Sequence, residues 1–231
     1  MTPIKICVSL AERRIQDLIP LMEEAAERGA SLIEVRLDYL ESLNGVERLV
    51  REAPLPLIAT NRRFDQGGFR RQDETSRIHN LLEAAEAGFQ YADVELTTDN
   101  IGEVMSRLKS LNVKPIVSFH DFNGTPKLED MERIVESQLR VGAEICKLIT
   151  TARKFEDNLS CLNLLSKAGR NLKIVCFAMG GKGLISRVLA PIFGSHFTYA
   201  SLIEGKGTAP GQISIDNLKR IYDLLGVNRC M

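Results

Sequence analysis

The chain has 231 residues, 44% of them hydrophobic and 26% charged, which is the range of an ordinary globular protein and enough for one large core. Thirty Lys and Arg balance thirty Asp and Glu, so there is no net positive field to hold a phosphate backbone, and nucleic acid is excluded as the main partner. No apolar run approaches the roughly 20 residues that cross a bilayer, and the start, Met-Thr-Pro-Ile-Lys-Ile-Cys-Val-Ser-Leu, lacks the basic segment of a secretory leader, so the chain reads as cytoplasmic with no membrane partner.

Taken in chain order, short Val-, Ile- and Leu-rich runs predict strands at Ile4–Leu10, Leu32–Asp38, Leu55–Asn61, Tyr91–Thr97, Val113–His120, Glu144–Thr150, Leu172–Met179 and His196–Leu202. Segments of helical period lie between them, such as Glu12–Arg28 with Leu18, Leu21, Met22 and Ala25 on one face, and Asp73–Ala87 with Ile78, Leu81, Leu82 and Ala85. A last helix is predicted over Ser214–Leu225. Eight such units leave about 29 residues each, near the roughly 30 of a βα repeat. No linker or composition break divides the chain, so residues 1–231 read as one α/β domain, a (β/α)8 TIM barrel. An open doubly wound sheet would favour a Gly-rich turn after the first strand, where Val8-Ser-Leu-Ala stands instead.

The five cysteines, Cys7, Cys146, Cys161, Cys176 and Cys230, form no CxxC pair, which argues against a disulfide framework or a structural zinc site. Three of them sit in apolar strand-like runs as small buried hydrophobes, and Cys230 reads as exposed.

Barrel strands are covered on both faces, so a charge inside one is costly unless it is paired or serves a site. Here charges recur near the strand ends: Glu34, Arg36 and Asp38 on one face of strand two, Arg62 and Arg63 after strand three, Asp93 and Glu95 in strand four, His120 and Asp121 at the end of strand five, and Lys147 in strand six. Active sites of this fold lie at the C-terminal ends of the strands, so these residues converge on one mouth. Lys147, flanked by Ile145, Cys146, Leu148 and Ile149, reads either as a desolvated amine suited to an imine or as a structural partner of Glu34 or Glu95. His120 suits proton transfer, whereas His79 and His196 read as structural. The Gly-containing segments after strands seven and eight make weak phosphate loops, because Gln212 stands where a Walker A motif needs Lys, but they suit an anion-binding mouth in which Arg187 clamps a carboxylate.

In combination these pieces resemble the type I 3-dehydroquinate dehydratases: Glu34-Val-Arg36-Leu-Asp38, Thr60-Asn-Arg62 followed by Gly67-Gly68, Ser118-Phe-His120-Asp121, Lys147, the Met179 to Arg187 segment, and Thr208-Ala-Pro-Gly-Gln212. The resemblance implies a cofactor-free and metal-free lyase, usually a homodimer, that converts 3-dehydroquinate to 3-dehydroshikimate by syn elimination. Lys147 would form an imine with the C3 ketone and His120 would move the protons. Arg187 and Gln212 would hold the carboxylate and a neighbouring hydroxyl, and Glu34, Arg36 and Arg62 the ring hydroxyls. Ser9, Met179, Tyr199 and Thr208 would line the pocket.

Two departures stand out. Family members often carry a Glu before the Gly-Gly pair that orients the catalytic His; here Gln66 stands there, which leaves Glu95 as orienter or none. The chain also begins directly at strand one, without the N-terminal hairpin that closes the barrel bottom in many members, so helix or loop residues must cover that end. Competing readings are a class I aldolase or transaldolase acting on a sugar phosphate, and a barrel that only binds a polyhydroxy acid.

Overall fold

A computed structural model describes residues 3–168, 171–209 and 211–227, in which strands and helices alternate throughout. The order is β1 (Ile6–Leu10), α1 (Ile15–Glu27), β2 (Leu32–Arg36), α2 (Val46–Glu52), β3 (Leu57–Thr60), α3 (Glu74–Glu86), β4 (Tyr91–Glu95), α4 (Ile101–Ser110), β5 (Lys114–His120), α5 (Leu128–Arg140), β6 (Ile145–Thr151), α6 (Asp157–Ala168), β7 (Ile174–Met179), α7 (Leu184–Leu189), β8 (Thr198–Ala200) and α8 (Ile215–Leu224). All ladders are parallel, in the order β7-β6-β5-β4-β3-β2-β1-β8. No ladder joins β7 to β8; the His196 amide closes that seam on the Ile174 carbonyl at 2.7 Å. The result is the nearly closed (β/α)8 barrel that the alternation predicts.

Several elements are shorter than their apolar runs. The third strand starts at Leu57 rather than Leu55, because Pro54 and Pro56 cannot donate to a ladder. The first helix starts at Ile15 rather than Glu12, with Arg14 at its cap bridged to Asp17. Asp73 caps α3 by accepting from the Ser76 amide, and Ser214 caps α8 in the same way from Asn217. Gly88 and Gly142, both at positive φ just past α3 and α5, end those helices in a conformation that other residues adopt only with strain.

The period of two sorts each strand between two environments. Val8, Ile33, Val35, Ala59, Ala92 and Val94 face outward into one apolar cluster with the helices. Cys7, Leu32, Ile58, Ile116, Val175, Phe197 and Tyr199 face inward and belong to a second cluster, which also takes in Met131 of α5 and Cys161 and Leu165 of α6. One step further along the same inward faces, the residues become polar: Ser9 pairs in register with Glu34, Thr60 with Asp93, and Ser118 with both Glu95 and Lys147. An apolar plug therefore fills the lower barrel, and a charged layer sits on top of it. At the opposite end Ile4, Lys5, Lys173, Pro191, His196 and Val227 line a shallow cavity, so loop residues rather than a hairpin border the bottom among the described residues. His196 is at that end, remote from the charged layer, and burial together with Lys5 and Lys173 lowers its pKa to about 4.

Cys7, Cys146, Cys161 and Cys176 are free and buried, while Cys230 lies outside the described residues. Among the described residues no helix is long and apolar enough to cross a membrane.

The turn between β7 and α7 sets where Arg187 goes. A Cβ on Gly183 would meet the Ala178 carbonyl oxygen at 2.4 Å, whereas one on Gly181 would meet nothing within 4 Å. Gly183→Ala is therefore expected to lose about 1–3 kcal/mol of stability through overpacking, and Gly181→Ala well under that; paired thermal or urea unfolding of the two variants measures the difference.

Candidate active site

The charged layer is held by pairing. Lys147, buried on β6, places Nζ 2.8 Å from Asp93 Oδ2 and 3.6 Å from Glu34 Oε1, and Nζ also donates to the Tyr199 hydroxyl at 3.2 Å. Asp93 is in turn 2.9 Å from Arg62 Nη2 and accepts from Ser118 at 2.6 Å. Arg62 Nη1 reaches Glu95 at 2.8 Å, Glu95 reaches Arg77 at 2.7 Å, and Arg77 reaches Glu74 at 2.7 Å. Burial pushes the Asp93 carboxyl up, but Arg62 and Lys147 outweigh it and hold the group well below its ordinary value. Glu34 behaves alike: burial opposes ionisation, and Lys147 and Arg36 overcome it. Both groups are anions in the resting protein.

Arg187 breaks this pattern. It is buried at the end of the Gly-rich turn, its guanidinium carbon lies 4.2 Å from the centre of the Phe177 ring, and Nε and Nη2 have no hydrogen-bond partner among the described residues. Burial lowers its pKa to about 10, which still leaves it a cation at neutral pH. An unpartnered buried cation facing a cavity is a site for an anion with two acceptor oxygens.

His120 lies half-buried at the end of β5. Burial first, then Arg62 and Lys147, push its pKa well below the ordinary value, so the imidazole is neutral and has a lone pair for a proton. Its Nδ1 has no partner among the described residues. Glu95 does not orient it, because Arg62, the Arg63 amide and Arg77 already occupy that carboxylate. Gln66 lines the same cavity without a hydrogen bond to the ring, and Phe122 lies nearly parallel to it, with centres 6.2 Å apart.

One cavity at the C-terminal mouth brings together Glu34, Arg36, Arg62, His120, Lys147, Met179, Arg187, Tyr199, Thr208 and Gln212. Ser9 stands behind its wall, donating to Glu34 and accepting from the Thr208 hydroxyl at 3.0 Å. Arg36 is pinned by both oxygens of Asp38 at 2.8 and 2.6 Å. Gln212 Oε1 accepts from the Thr208 amide at 2.7 Å and so folds its own loop over the mouth. Gly211 in that loop packs against Gly180 of the other Gly-rich turn, where a Cβ would come within 2.6 Å of the Gly180 oxygen.

Of the two readings of Lys147, the paired one describes the resting geometry: Glu34 is a partner, Glu95 is not, and Asp93 is the nearer carboxylate. Asp93 carried a sequence signal, since it shares a face of β4 with Glu95. Phe177, the platform under Arg187, shares a face of β7 with Met179, which the period of two places at the mouth. Among the described residues no cluster of His, Cys, Asp and Glu suits a metal ion.

Comparison with known proteins gives the family. The profile described as Type I 3-dehydroquinase matches residues 6–229. A 3-dehydroquinate dehydratase of Dehalococcoides mccartyi is 40% identical over 195 residues, 84% of this chain and 86% of its own. One from Methanococcus maripaludis is 36% identical over 224 residues, 96% of this chain and 100% of its own. Among solved structures, the 3-dehydroquinate dehydratase of Geobacillus kaustophilus superposes with a TM-score of 0.88 at 26% identity, covering 99% of this chain and 93% of that one. The type I enzyme of Clostridium difficile, solved with covalently modified comenic acid, gives 0.87 at 28% identity, covering 99% and 94%. The chain belongs to the type I 3-dehydroquinase family, the 3-dehydroquinate dehydratases.

Proposed function

We propose that this barrel dehydrates 3-dehydroquinate to 3-dehydroshikimate through an imine at Lys147, with His120 as the acid and base. The observation that carries this reading is the single cavity in which a buried lysine, a neutral histidine and an unpartnered buried arginine face one another. Arg187 receives the substrate carboxylate, with Gln212 beside it, and this anchors the ring with its C3 ketone toward Lys147. Glu34, Arg36 and Arg62 face the ring hydroxyls, and Met179, Tyr199 and Thr208 bound the pocket. The imine nitrogen, once positive, draws the electrons of the C2–H bond as His120 removes that proton. The electrons then expel the C1 hydroxyl, and His120 returns the proton so that water leaves. Without an acidic partner on Nδ1, the imidazolium formed midway draws its stabilisation from Asp93 across the layer rather than from an adjacent carboxylate.

A sugar-phosphate aldolase would use the same lysine, but Arg36 and Arg62 in the cavity are already paired with carboxylates, which leaves Arg187 as one fork for a singly charged, two-oxygen group, and His120 would then have no proton to take from a ring carbon. We extend the reading to a cytoplasmic homodimer of single-domain subunits; sedimentation of the purified protein as a monomer would remove the dimer.

Borohydride added to the protein with 3-dehydroquinate is expected to give one covalent adduct by mass, located at Lys147, and Lys147→Ala should give no adduct and no turnover while remaining folded. Near-native turnover in that variant would end the imine reading. Because the His120 pKa is depressed in the free protein, its basic form persists to lower pH, and the acid limb of kcat/KM is expected below the ordinary histidine value of about 6.5; a limb at or above that value would count against His120 as the base. Arg187→Lys keeps the charge and loses the fork, so KM for 3-dehydroquinate should rise about ten- to hundredfold, and in the wild type quinate should compete where inorganic phosphate does not.

A further inference from the structure

Among the described residues three groups touch the Lys147 nitrogen in the resting protein: Asp93 at 2.8 Å, the Tyr199 hydroxyl at 3.2 Å and Glu34 at 3.6 Å. The two carboxylates are held ionised by their cationic neighbours, so they accept hydrogen bonds and have no proton to give. The phenol differs. Nζ is the donor in its contact with Tyr199, so the phenol's own hydrogen remains to be placed, and among the described residues the phenol donates no hydrogen bond. Tyr199 is buried in the barrel and lines the cavity, with its ring held edge-on by Phe197 at 5.3 Å and by Phe177 at 6.4 Å. Burial also keeps the phenol protonated.

Imine formation at this nitrogen requires two protons to move from nitrogen to oxygen. An ammonium and a ketone become an iminium and water, so the positive charge is conserved and no outside acid or base is consumed. A shuttle for those protons must touch both the nitrogen and the oxygen on the carbon that the nitrogen attacks. We infer that the Tyr199 hydroxyl is that shuttle, a further catalytic group that works on the imine-forming half of the reaction; the inference rests on the imine reading above. Tyr199 passes its proton to the C3 oxygen as it takes one from Nζ, while the freed nitrogen pair forms the C–N bond and the C=O pair moves onto oxygen. A second transfer along the same path protonates the C3 hydroxyl, which leaves as water as the nitrogen pair closes the C=N bond. Asp93 and Glu34 face a cation before and after, so their pairing survives the exchange of ammonium for iminium. His120 is thereby left to the C2 and C1 protons.

Tyr199→Phe removes the oxygen and keeps the ring with its contacts to Phe177 and Phe197. Wild-type and variant proteins are mixed with 3-dehydroquinate, quenched with borohydride at millisecond to second times and weighed, and the affinity for quinate, which has no ketone, is measured alongside. The expected result is the same Lys147 adduct formed about 10²-fold more slowly in the variant, with quinate bound as tightly as by the wild type. Adduct formation at the wild-type rate would overturn the role of Tyr199, and so would a slowing matched by an equal loss of quinate affinity, which is the mark of a wall residue. Absence of any adduct in the wild type would instead remove the imine reading itself.

Discussion

The top of the barrel depends on one alternating chain of charge, Lys147–Asp93–Arg62–Glu95–Arg77–Glu74, which runs from the sixth strand through the fourth and the loop after the third to the first turn of α3. Removing any of these ions from water costs several kcal/mol, and only the adjacent opposite charge compensates. Each link therefore fixes its neighbours. The loop that carries Arg62 cannot shift without stranding Asp93 and Glu95, and α3 cannot rotate without stranding Glu95. Lys147 and its surroundings are preorganised by electrostatics, where a purely apolar barrel interior would have fixed only shape.

Against this matched background the buried Arg187 guanidinium, with two donors free among the described residues, gains meaning. Arg187 is carried by a different device, a Gly-rich turn pressed against the Ala178 backbone, and it stacks on Phe177 instead of pairing with a carboxylate. The structure thus separates two tasks. Strands two to six build a charge-balanced floor that holds the Lys147 amine, and the loops after β7 and β8 build a rim whose Arg187 has no carboxylate partner among the described residues. The contact between Gly211 and Gly180 ties those two loops together, so Gln212 and Arg187 are placed as a unit.

Much of this was legible in the sequence because barrels impose strict rules. Eight apolar runs separated by amphipathic segments leave few folds open, and the period of two then states which strand residues share a face. Glu34 with Arg36, Asp93 with Glu95, and the position of His120 at a strand end all follow from that period, and the fold places such strand ends at one mouth. Partnership was less legible. Glu95 seemed available to orient His120 and is fully engaged by two arginines; Lys147 read either as a desolvated amine or as a partner of Glu34 or Glu95, and its nearer partner is Asp93; Ser9 seemed to line the pocket and instead supports Glu34 from behind.

The sequence by itself determined the element order, the inward and outward faces and the family motifs, because those are set by local propensity and by side-chain alternation along a single strand. Only the tertiary structure decided which charges meet. Pairing runs across strands, and it depends on the stagger of each ladder and on the reach of long side chains such as Arg62 and Arg77, which no spacing along the chain encodes. For the same reason the hydroxyl of Tyr199, an aromatic strand residue in the sequence, became a neighbour of the Lys147 nitrogen only when the eighth strand closed the barrel beside the first.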